Sequence, residues 1–455
     1  MSSSEDEFLD ASDVKEEFSY DEECCESGSH DYDDINDAED NDSDSNENEN
    51  ENGSFFASSY PEELEYEDIG EPSTFNFNIH NGEPVYSVDF LQGTEFMITG
   101  SGDARSLLVD ARGIEVLADL GVAGDSIISA KFYQGPGDDI FVASASMDGQ
   151  VRVYVSHPEK GIELKCTFDG PGEGTECVWI DWHSRGPILI GGFSDGSVWM
   201  WNAQLCKVMN IFAGHLTTST TTGAFTPDGK AIVVGSEEGV LLVLNPLSPD
   251  EVFTKISPQS HQETSLQDVT CLSVHPVSGQ VFMASDSTGH LRVYKCFMEQ
   301  QPMPLKDLSL HHTGSIEGLG FHPLGNLSMS AGMDGYVIIY DATFSLRHGL
   351  ELKKLFNDEE IVDNHDENIN CETDGFTMAK WMSALPNGSA LPTNLSFGLL
   401  LGTAQGRILI IDGRSGEILR RLRGRPGRPV LDASISCNGI LGVSFDDGII
   451  SLYQL

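Results

Sequence analysis

Residues that could perform catalysis are sparse in this sequence. His311 and His312 are adjacent, so they cannot chelate one metal ion with the usual helical spacing. We expect these histidines to have a structural role at the junction between two repeats. Asp148, Asp195 and Asp334 each precede Gly, where a carboxylate normally accepts hydrogen bonds from the amides of a turn. No P-loop or HExxH motif is present. We therefore predict no enzyme, no catalytic residue, no metal site and no cofactor.

Carboxylates, in contrast, are in large excess. The chain has 73 Asp and Glu against 25 Lys and Arg, a net charge of -48. The first 73 residues hold 28 acids and one base, or 1 - 28 = -27, which leaves -21 for the other 382 residues. A protein that binds nucleic acid directly needs a basic footprint, and an anionic membrane also repels this charge. The composition therefore favours a basic protein partner.

The residues that carry this charge must be positioned by a repeating body. One phrase recurs: an apolar strand, a tight turn with Gly, and an alternating strand that ends in an aromatic or apolar residue. Another short strand precedes most copies and a fourth follows, with a period of roughly 40–50 residues, which is typical of propeller blades. The eight copies are 98–109, 142–154, 189–201, 233–244, 283–294, 329–340, 400–411 and 441–453.

Two features resemble the WD-repeat (WD40) family: Gly214-His215 between a fourth and a first strand, and Trp201 at the end of a third strand. Tyr replaces that Trp in several copies. The resemblance implies an all-β, eight-bladed β-propeller over residues 74–455. The residues with Tyr at this position are Tyr154, Tyr294, Tyr340 and Tyr453.

A short strand before the first repeat is predicted to close the ring. Only Gln454 and Leu455 follow the last phrase, so the eighth blade lacks an outer strand. Phe75, Phe77 and Ile79 alternate over 74–80 and would share one face. We expect this strand to complete the last blade and remove an exposed edge, with each of the three side chains contributing roughly 1.5–3 kcal/mol by burial.

Two acidic segments are predicted to lie outside the propeller sheets. Residues 1–73 have too few apolar side chains to offset the entropy of folding, so we expect a disordered acidic tail. Residues 357–375 carry eight acids and no Lys or Arg, which indicates a loop insertion. The first residues lack the basic and apolar regions of a signal peptide, so we expect none; no long apolar segment occurs in the sequence, and nine scattered cysteines suggest reduced thiols. We expect a cytoplasmic monomer, with presence in the nucleus left open.

Acidic residues recur where each blade begins and in the turns between second and third strands. In a WD-type ring these positions share one face around the channel, so they form the predicted partner-binding surface. Trp179 follows one of them and could be a cation–π platform, or it could pack within the blade. The predicted set is Glu83, Asp103, Asp125, Glu176, Trp179, Glu237, Glu238, Asp268, Glu317, Asp374, Asp432, Asp446 and Asp447. An Arg cluster at 420–428 runs against this pattern, and we expect it to neutralise the tail or the 357–375 loop.

The third and fourth repeats carry a closer resemblance. The motifs of 179–183 and 195–201, with Pro227-Asp228-Gly229-Lys230, are similar to those of the angio-associated migratory cell protein group. That group implies a dedicated chaperone in ribosome biogenesis, which holds the basic N-terminal segment of a large-subunit ribosomal protein (L10 or L16 type) and delivers it to the precursor of the large subunit. The alternative is a generic interaction scaffold, such as a signalling or migration adaptor or a ubiquitin-ligase substrate receptor.

Overall fold

The computed structural model describes residues 70–135, 139–157, 161–258, 266–295, 303–356, 374–382 and 396–455. Most of the predicted tail (1–73) and of the acidic insertion (357–375) therefore lies outside the described residues. Within the described part, the chain forms eight four-stranded antiparallel sheets, each an individual blade. The predicted all-β, eight-bladed propeller is confirmed.

The first four blades follow a short N-terminal strand, β1 (Phe75–Asn78). Blade 1 contains β2 (Val85–Phe90), β3 (Phe96–Ser101), β4 (Arg105–Asp110) and β5 (Glu115–Val122). Blade 2 contains β6 (Ile127–Gln134), β7 (Ile140–Ser146), β8 (Val151–His157) and β9 (Gly161–Phe168). Blade 3 contains β10 (Cys177–Trp182), β11 (Ile188–Phe193), β12 (Val198–Asn202) and β13 (Lys207–Phe212). Blade 4 contains β14 (Thr220–Phe225), β15 (Ile232–Ser236), β16 (Leu241–Leu244) and β17 (Val252–Ile256).

The second half of the ring repeats the pattern, with a 3-10 turn (Ser309–His311) after blade 5 and a short helix, α1 (Leu352–Phe356), after blade 6. Blade 5 contains β18 (Val269–Val274), β19 (Val281–Asp286), β20 (Leu291–Lys295) and β21 (Met303–Asp307). Blade 6 contains β22 (Ile316–Phe321), β23 (Leu327–Gly332), β24 (Tyr336–Asp341) and β25 (Leu346–Glu351). Blade 7 contains β26 (Phe376–Trp381), β27 (Gly398–Thr403), β28 (Ile408–Asp412) and β29 (Ile418–Leu422). Blade 8 contains β30 (Val430–Ile435), β31 (Ile440–Phe445) and β32 (Ile449–Gln454), with β1 as its fourth strand.

Glycine in the turn between second and third strands is a steric requirement. In blade 2, Gly149 has a φ of 80°, which L side chains rarely adopt. A Cβ atom at Gly149 would also lie 2.3 Å from the carbonyl oxygen of Thr175, which belongs to the loop that enters blade 3. The Asp-Gly turn therefore brings the turn of one blade against the entry of the next.

The eight blades form a closed ring around a channel. The first strand of each blade contacts the first strand of the next, and β30 of blade 8 returns to β2 of blade 1. Polar side chains cross these junctions: Asp432 Oδ2 accepts the N–H of Val88 (3.0 Å), and Asp89 Oδ2 accepts the N–H of Phe132 (2.9 Å). Every first strand has a register shift around its second residue, so that residue lies outside the regular ladder where the strand begins.

The N-terminal strand closes the ring as predicted, but it is shorter than expected. β1 pairs with β32 from Phe75 opposite Leu452 to Asn78 opposite Ile449. Phe77 is 5% exposed and packs in the core between blades 8 and 1, whereas Phe75 is 38% exposed and lies edge-on against Phe77. Ile79 is partly buried. Burial on this strand is therefore concentrated in Phe77 rather than shared by three side chains.

Blade 6 contains a continuous hydrogen-bonded chain that joins its entry loop to its second and third strands. His312 Nδ1 donates to Asp334 Oδ2 (3.1 Å), and its Nε2 lies 2.8 Å from Ser330 Oγ. Ser330 Oγ in turn lies 3.3 Å from the hydroxyl of Tyr340. The N–H groups of Thr313 and Tyr336 also donate to Asp334. The structural role expected for His312 and Asp334 is confirmed.

Candidate protein-binding face

The loops that enter the blades and the turns between second and third strands lie on the same side of the ring. Asp148, in such a turn of blade 2, accepts the N–H of Gly124 in the loop that enters that blade (2.8 Å). Asp286, at the same turn of blade 5, accepts the N–H of Gln267 (3.0 Å). We call this side the entry face. The opposite face is formed by the connections between first and second and between third and fourth strands.

Seven predicted carboxylates lie on the entry face without an ion pair to any described Lys, Arg or His. They come from the entry loop or first strand of blades 1, 2, 3, 5 and 6 and from the second turn of blade 4. All are exposed except Asp268, which is partly buried. We call this set the acidic arc: Glu83, Asp125, Glu176, Glu237, Glu238, Asp268 and Glu317.

Short hydrogen bonds orient several carboxylates of the acidic arc without removing their charge. Glu317, the second residue of β22, accepts Ser315 Oγ (2.5 Å), and Glu238 accepts Thr217 Oγ1 (2.9 Å). Asp125 accepts its neighbour's N–H, and Asp268 accepts Ser287 Oγ (2.5 Å). Each of these donors is neutral. The arc therefore presents formal negative charge from six consecutive blades to a ligand.

The other predicted carboxylates do not contribute free charge in this way, since each is buried or paired. The side chain of Asp103 is 5% exposed and accepts His80 Nδ1 (3.0 Å), which makes it the blade 1 counterpart of Asp334. Asp374 is buried, accepts the N–H of Gln405 and lies 3.6 Å from Arg407 Nη1. Burial raises the pKa of Asp374 despite these contacts. Asp432 accepts Lys380 Nζ and bridges to blade 1.

In blade 8, arginines neutralise the two turn carboxylates. Arg425 Nε donates to Asp447 Oδ2 (2.6 Å), and Arg428 Nη1 lies 3.8 Å from Asp446. Burial raises the pKa of Asp446. Arg420, on β29, pairs with Glu71 (3.0 Å). The Arg cluster therefore pairs with blade 8 and with the residues just before β1, so the acidic arc covers blades 1–6 and not the whole ring.

Trp179 packs within the sheet layers instead of facing a ligand. Its side chain is 8% exposed, and its Nε1 donates to Thr220 Oγ1 of blade 4 (3.1 Å). A Cβ atom at Gly192 or Gly223 would lie 2.3 or 2.2 Å from the indole ring, so both glycines make room for it. The structure thus supports the packing alternative, and Trp179 leaves the set of candidate ligand contacts.

Sequence reasoning missed an aromatic residue and an acid on the entry face. Tyr86, the second residue of β2, is 39% exposed and occupies the position that Glu317 has in blade 6. Glu173 is exposed in the loop that enters blade 3. The sequence signal that could have identified Tyr86 is its place as the second residue of a first strand, which Glu317 also occupies; the structure shows a register shift around this position in both strands.

One stretch, Gly192–Gly196, matches the letters of the GxSxG nucleophile motif. In hydrolases that motif lies between a strand and a helix. Here it joins β11 to β12, and Ser194 Oγ accepts the N–H of Glu176 (2.9 Å). Its serine therefore has a structural bond in a hairpin. In the described part of the chain, no three His, Cys, Asp or Glu side chains are placed to share a metal ion. None of the described helices has the length and apolar character that spanning a bilayer requires.

Comparison with known proteins confirms the WD repeats and the resemblance. The family model "WD domain, G-beta repeat" matches residues 162–202 and 303–341, which include the outer strands of blade 2 and blade 5. The human angio-associated migratory cell protein is 27% identical over 288 residues, which are 61% of this chain and 63% of the relative. The match thus spans somewhat less than two thirds of the relative's length.

Solved structures share the fold. The crystal structure of Chaetomium thermophilum Sqt1 bound to the N-terminus of the ribosomal protein L10 aligns with a TM-score of 0.69 at 19% identity, over 84% of this chain and 99% of that chain. Saccharomyces cerevisiae Sqt1 aligns with a TM-score of 0.67 at 18% identity, over 85% of this chain and 100% of that chain.

Proposed function

We propose that this chain, whose WD repeats build an eight-bladed propeller, is a non-enzymatic chaperone in ribosome biogenesis. It holds the basic N-terminal segment of a newly made large-subunit ribosomal protein on the acidic arc and delivers it to the precursor of the large subunit. The observation that carries this proposal is the gathering of seven carboxylates on one face, from blades 1–6, none of which pairs with a Lys, Arg or His in the described part of the chain.

The energetics favour a ligand with many charges over a single-residue contact. An exposed ion pair contributes only about 0.2–1 kcal/mol, so tight binding needs several Arg or Lys side chains that engage the acidic arc together. The same field accelerates association by roughly 10–1000-fold at low salt. Tyr86 adds an exposed ring on the same face, which suits the stem or head of a basic side chain.

The ribosomal partner is supported by the similarity in fold to a structure that holds a ribosomal protein N-terminus, and by the opposite charges of the acidic arc and a basic segment. A basic, RNA-binding segment aggregates or binds unrelated RNA when it is left uncovered, and a row of carboxylates can take the place of the phosphates until delivery. Ribosomal RNA, with its denser negative charge, then competes for the segment, so release needs no nucleotide. Synthesis of ribosomal proteins by cytoplasmic ribosomes places this step in the cytoplasm.

The proposal is tested by two triple charge reversals of the same size. One variant carries Glu83→Lys, Glu176→Lys and Glu317→Lys on the entry face. The matched control carries Glu115→Lys, Asp250→Lys and Glu417→Lys, which are exposed acids at the turns between third and fourth strands, on the opposite face. Binding of a basic N-terminal peptide of the ribosomal protein is measured by fluorescence anisotropy in rising salt.

We expect the entry-face variant to weaken binding at least tenfold at low salt and the control to change it less than threefold, because only the first set contacts the ligand. Equal losses in both variants would mean that net charge alone attracts the peptide. Binding that ignores salt would contradict the proposal. Recovery of signalling receptors or cullin adaptors with the tagged chain, without any ribosomal protein, would favour the general scaffold.

A further inference from the structure

A cavity of about 170 Å³ opens from the channel between blades 7, 8 and 1. For comparison, an engineered cavity of about 150 Å³ in another protein holds benzene. The polar lining of the cavity between blades 7, 8 and 1 includes Asp89 and Lys380, each the fifth residue of the first strand of its blade. First strands begin at the entry face, so the cavity lies toward the opposite end of the channel from the acidic arc.

The polar groups around this cavity leave one negative charge without a counter-ion. Along the inner strands of blades 7, 8, 1, 2 and 3 lie Lys380, Asp432, Asp89, Lys131 and Asp181 in turn. Lys380 pairs with Asp432, and Lys131 lies 3.6 Å from Asp181. Asp89 is between the two pairs and makes no ion pair with any described residue. Its contact is the backbone N–H of Phe132 (2.9 Å).

The environment of Asp89 is costly for a lone carboxylate. Burial raises the pKa of Asp89 to about 6, and the Phe132 N–H and the two lysines only partly oppose this effect. At neutral pH the group is nonetheless mostly ionised. A cation that entered the cavity would supply the missing counter-charge where water screens it poorly.

Apart from Ser434, whose Oγ accepts the N–H of Phe90 (3.2 Å), the remaining walls are apolar. Trp381, Met382, Leu400 and Ile435 line the cavity. Trp381 is held in place, since its Nε1 donates to the carbonyl of Gly320 in blade 6 (3.0 Å). Such a lining suits a short aliphatic chain better than an inorganic ion, which would need several oxygen ligands.

We propose that this cavity binds a small organic monocation, an alkylammonium or alkylguanidinium whose charged head meets Asp89 and whose chain contacts Trp381 and Leu400. The same chemistry is present in a free amine and in a Lys or Arg side chain of a protein partner. The site is separate from the acidic arc, so it does not depend on the proposed chaperone function.

The test is a ligand-observed NMR titration of the full chain with n-butylammonium and n-butylguanidinium, with n-butanol and butyrate as neutral and anionic probes. We expect the two cations to bind and the other probes to bind at least tenfold more weakly. Asp89→Asn should reduce cation binding at least tenfold, since it keeps an acceptor for the Phe132 N–H and removes the charge. The matched control is Asp250→Asn, an exposed acid on the opposite face and outside the cavity lining, which should bind normally.

Binding of n-butanol as strong as that of the cations, or unchanged cation binding by Asp89→Asn, would overturn the proposal. A competition arm with the basic ribosomal peptide separates the two sources of the cation. Displacement of n-butylguanidinium by the peptide assigns the cavity to a partner's side chain, and simultaneous binding assigns it to a free amine. The entry-face triple variant should bind n-butylguanidinium like the unmodified chain, which separates failure of this proposal from failure of the chaperone function.

Discussion

Ring closure by β1 can be tested with two phenylalanines on one short strand. Phe77 is 5% exposed and packs in the core with residues of blades 1 and 8, while Phe75, two residues earlier, is 38% exposed. Truncation of a buried Phe to Ala typically costs about 3–5 kcal/mol, because both transfer energy and a cavity contribute. For Phe75, with roughly three fifths of its surface covered, we expect about 1–2 kcal/mol.

The measurement is equilibrium unfolding of Phe77→Ala and Phe75→Ala in urea, monitored by tryptophan fluorescence. The free energies of unfolding are compared using one shared slope of free energy against urea concentration. The slope serves as a check, since a change in it would indicate that unfolding is no longer a single transition. The expected result is a free energy of unfolding reduced at least twice as much by Phe77→Ala. Equal losses, or a loss below about 1 kcal/mol for Phe77→Ala, would refute the conclusion that β1 locks the ring through this side chain.

Three further predictions concern charge. Asp334→Asn should destabilise the chain by about 1–3 kcal/mol at pH 7 in urea unfolding. Burial alone would raise the pKa of Asp334, but the hydrogen bonds from His312 and the Thr313 N–H lower this pKa overall. The stability that the carboxylate contributes is therefore present above about pH 4, and the difference in unfolding free energy between the variant and the unmodified chain should shrink in acid. Asp89→Asn should have the opposite effect, because the pKa of Asp89 is raised to about 6 and the folded chain therefore loses stability as the pH rises from 4 to 6. In the same assay the variant should be more stable than the unmodified chain by up to about 3 kcal/mol at pH 7.5 and equally stable at pH 4. A stability difference that does not change with pH would contradict this. Arg425→Ala with Arg428→Ala should free Asp447 and Asp446, extend the acidic arc to blade 8 and strengthen peptide binding severalfold in the anisotropy assay; weaker binding would show that these arginines contact the ligand.

The sequence was sufficient for the fold because the blade is a local unit. Each phrase contains two strands and a Gly turn within about a dozen residues. In all eight blades of the structure these two strands are hydrogen-bonded neighbours. The sequence also identified Tyr340 in the position of Trp, but the hydrogen bond between its hydroxyl and Ser330 is seen only in the structure. The closing strand was found from the missing outer strand of the last blade together with the alternation over 74–80, although its exposed end at Phe75 was not.

The charge state of the entry face could not be predicted in the same way. Asp432 bonds to Val88, 344 positions away in sequence, and Asp374 meets Arg407 only because two turns of blade 7 converge. A sequence pattern gives the position of a carboxylate in a blade but not the cation beside it. The burial of Trp179 is equally non-local, since it depends on Gly192 and Gly223 in two different blades.

The central claim, that a basic segment binds across the entry face of blades 1–6, is tested most directly by hydrogen–deuterium exchange with and without the ribosomal N-terminal peptide. We predict slower exchange in the loops that enter blades 1–6 and in the second turn of blade 4 (236–240), with no change at the turns between third and fourth strands. Protection confined to the opposite face, or to blades 7 and 8, would contradict the account.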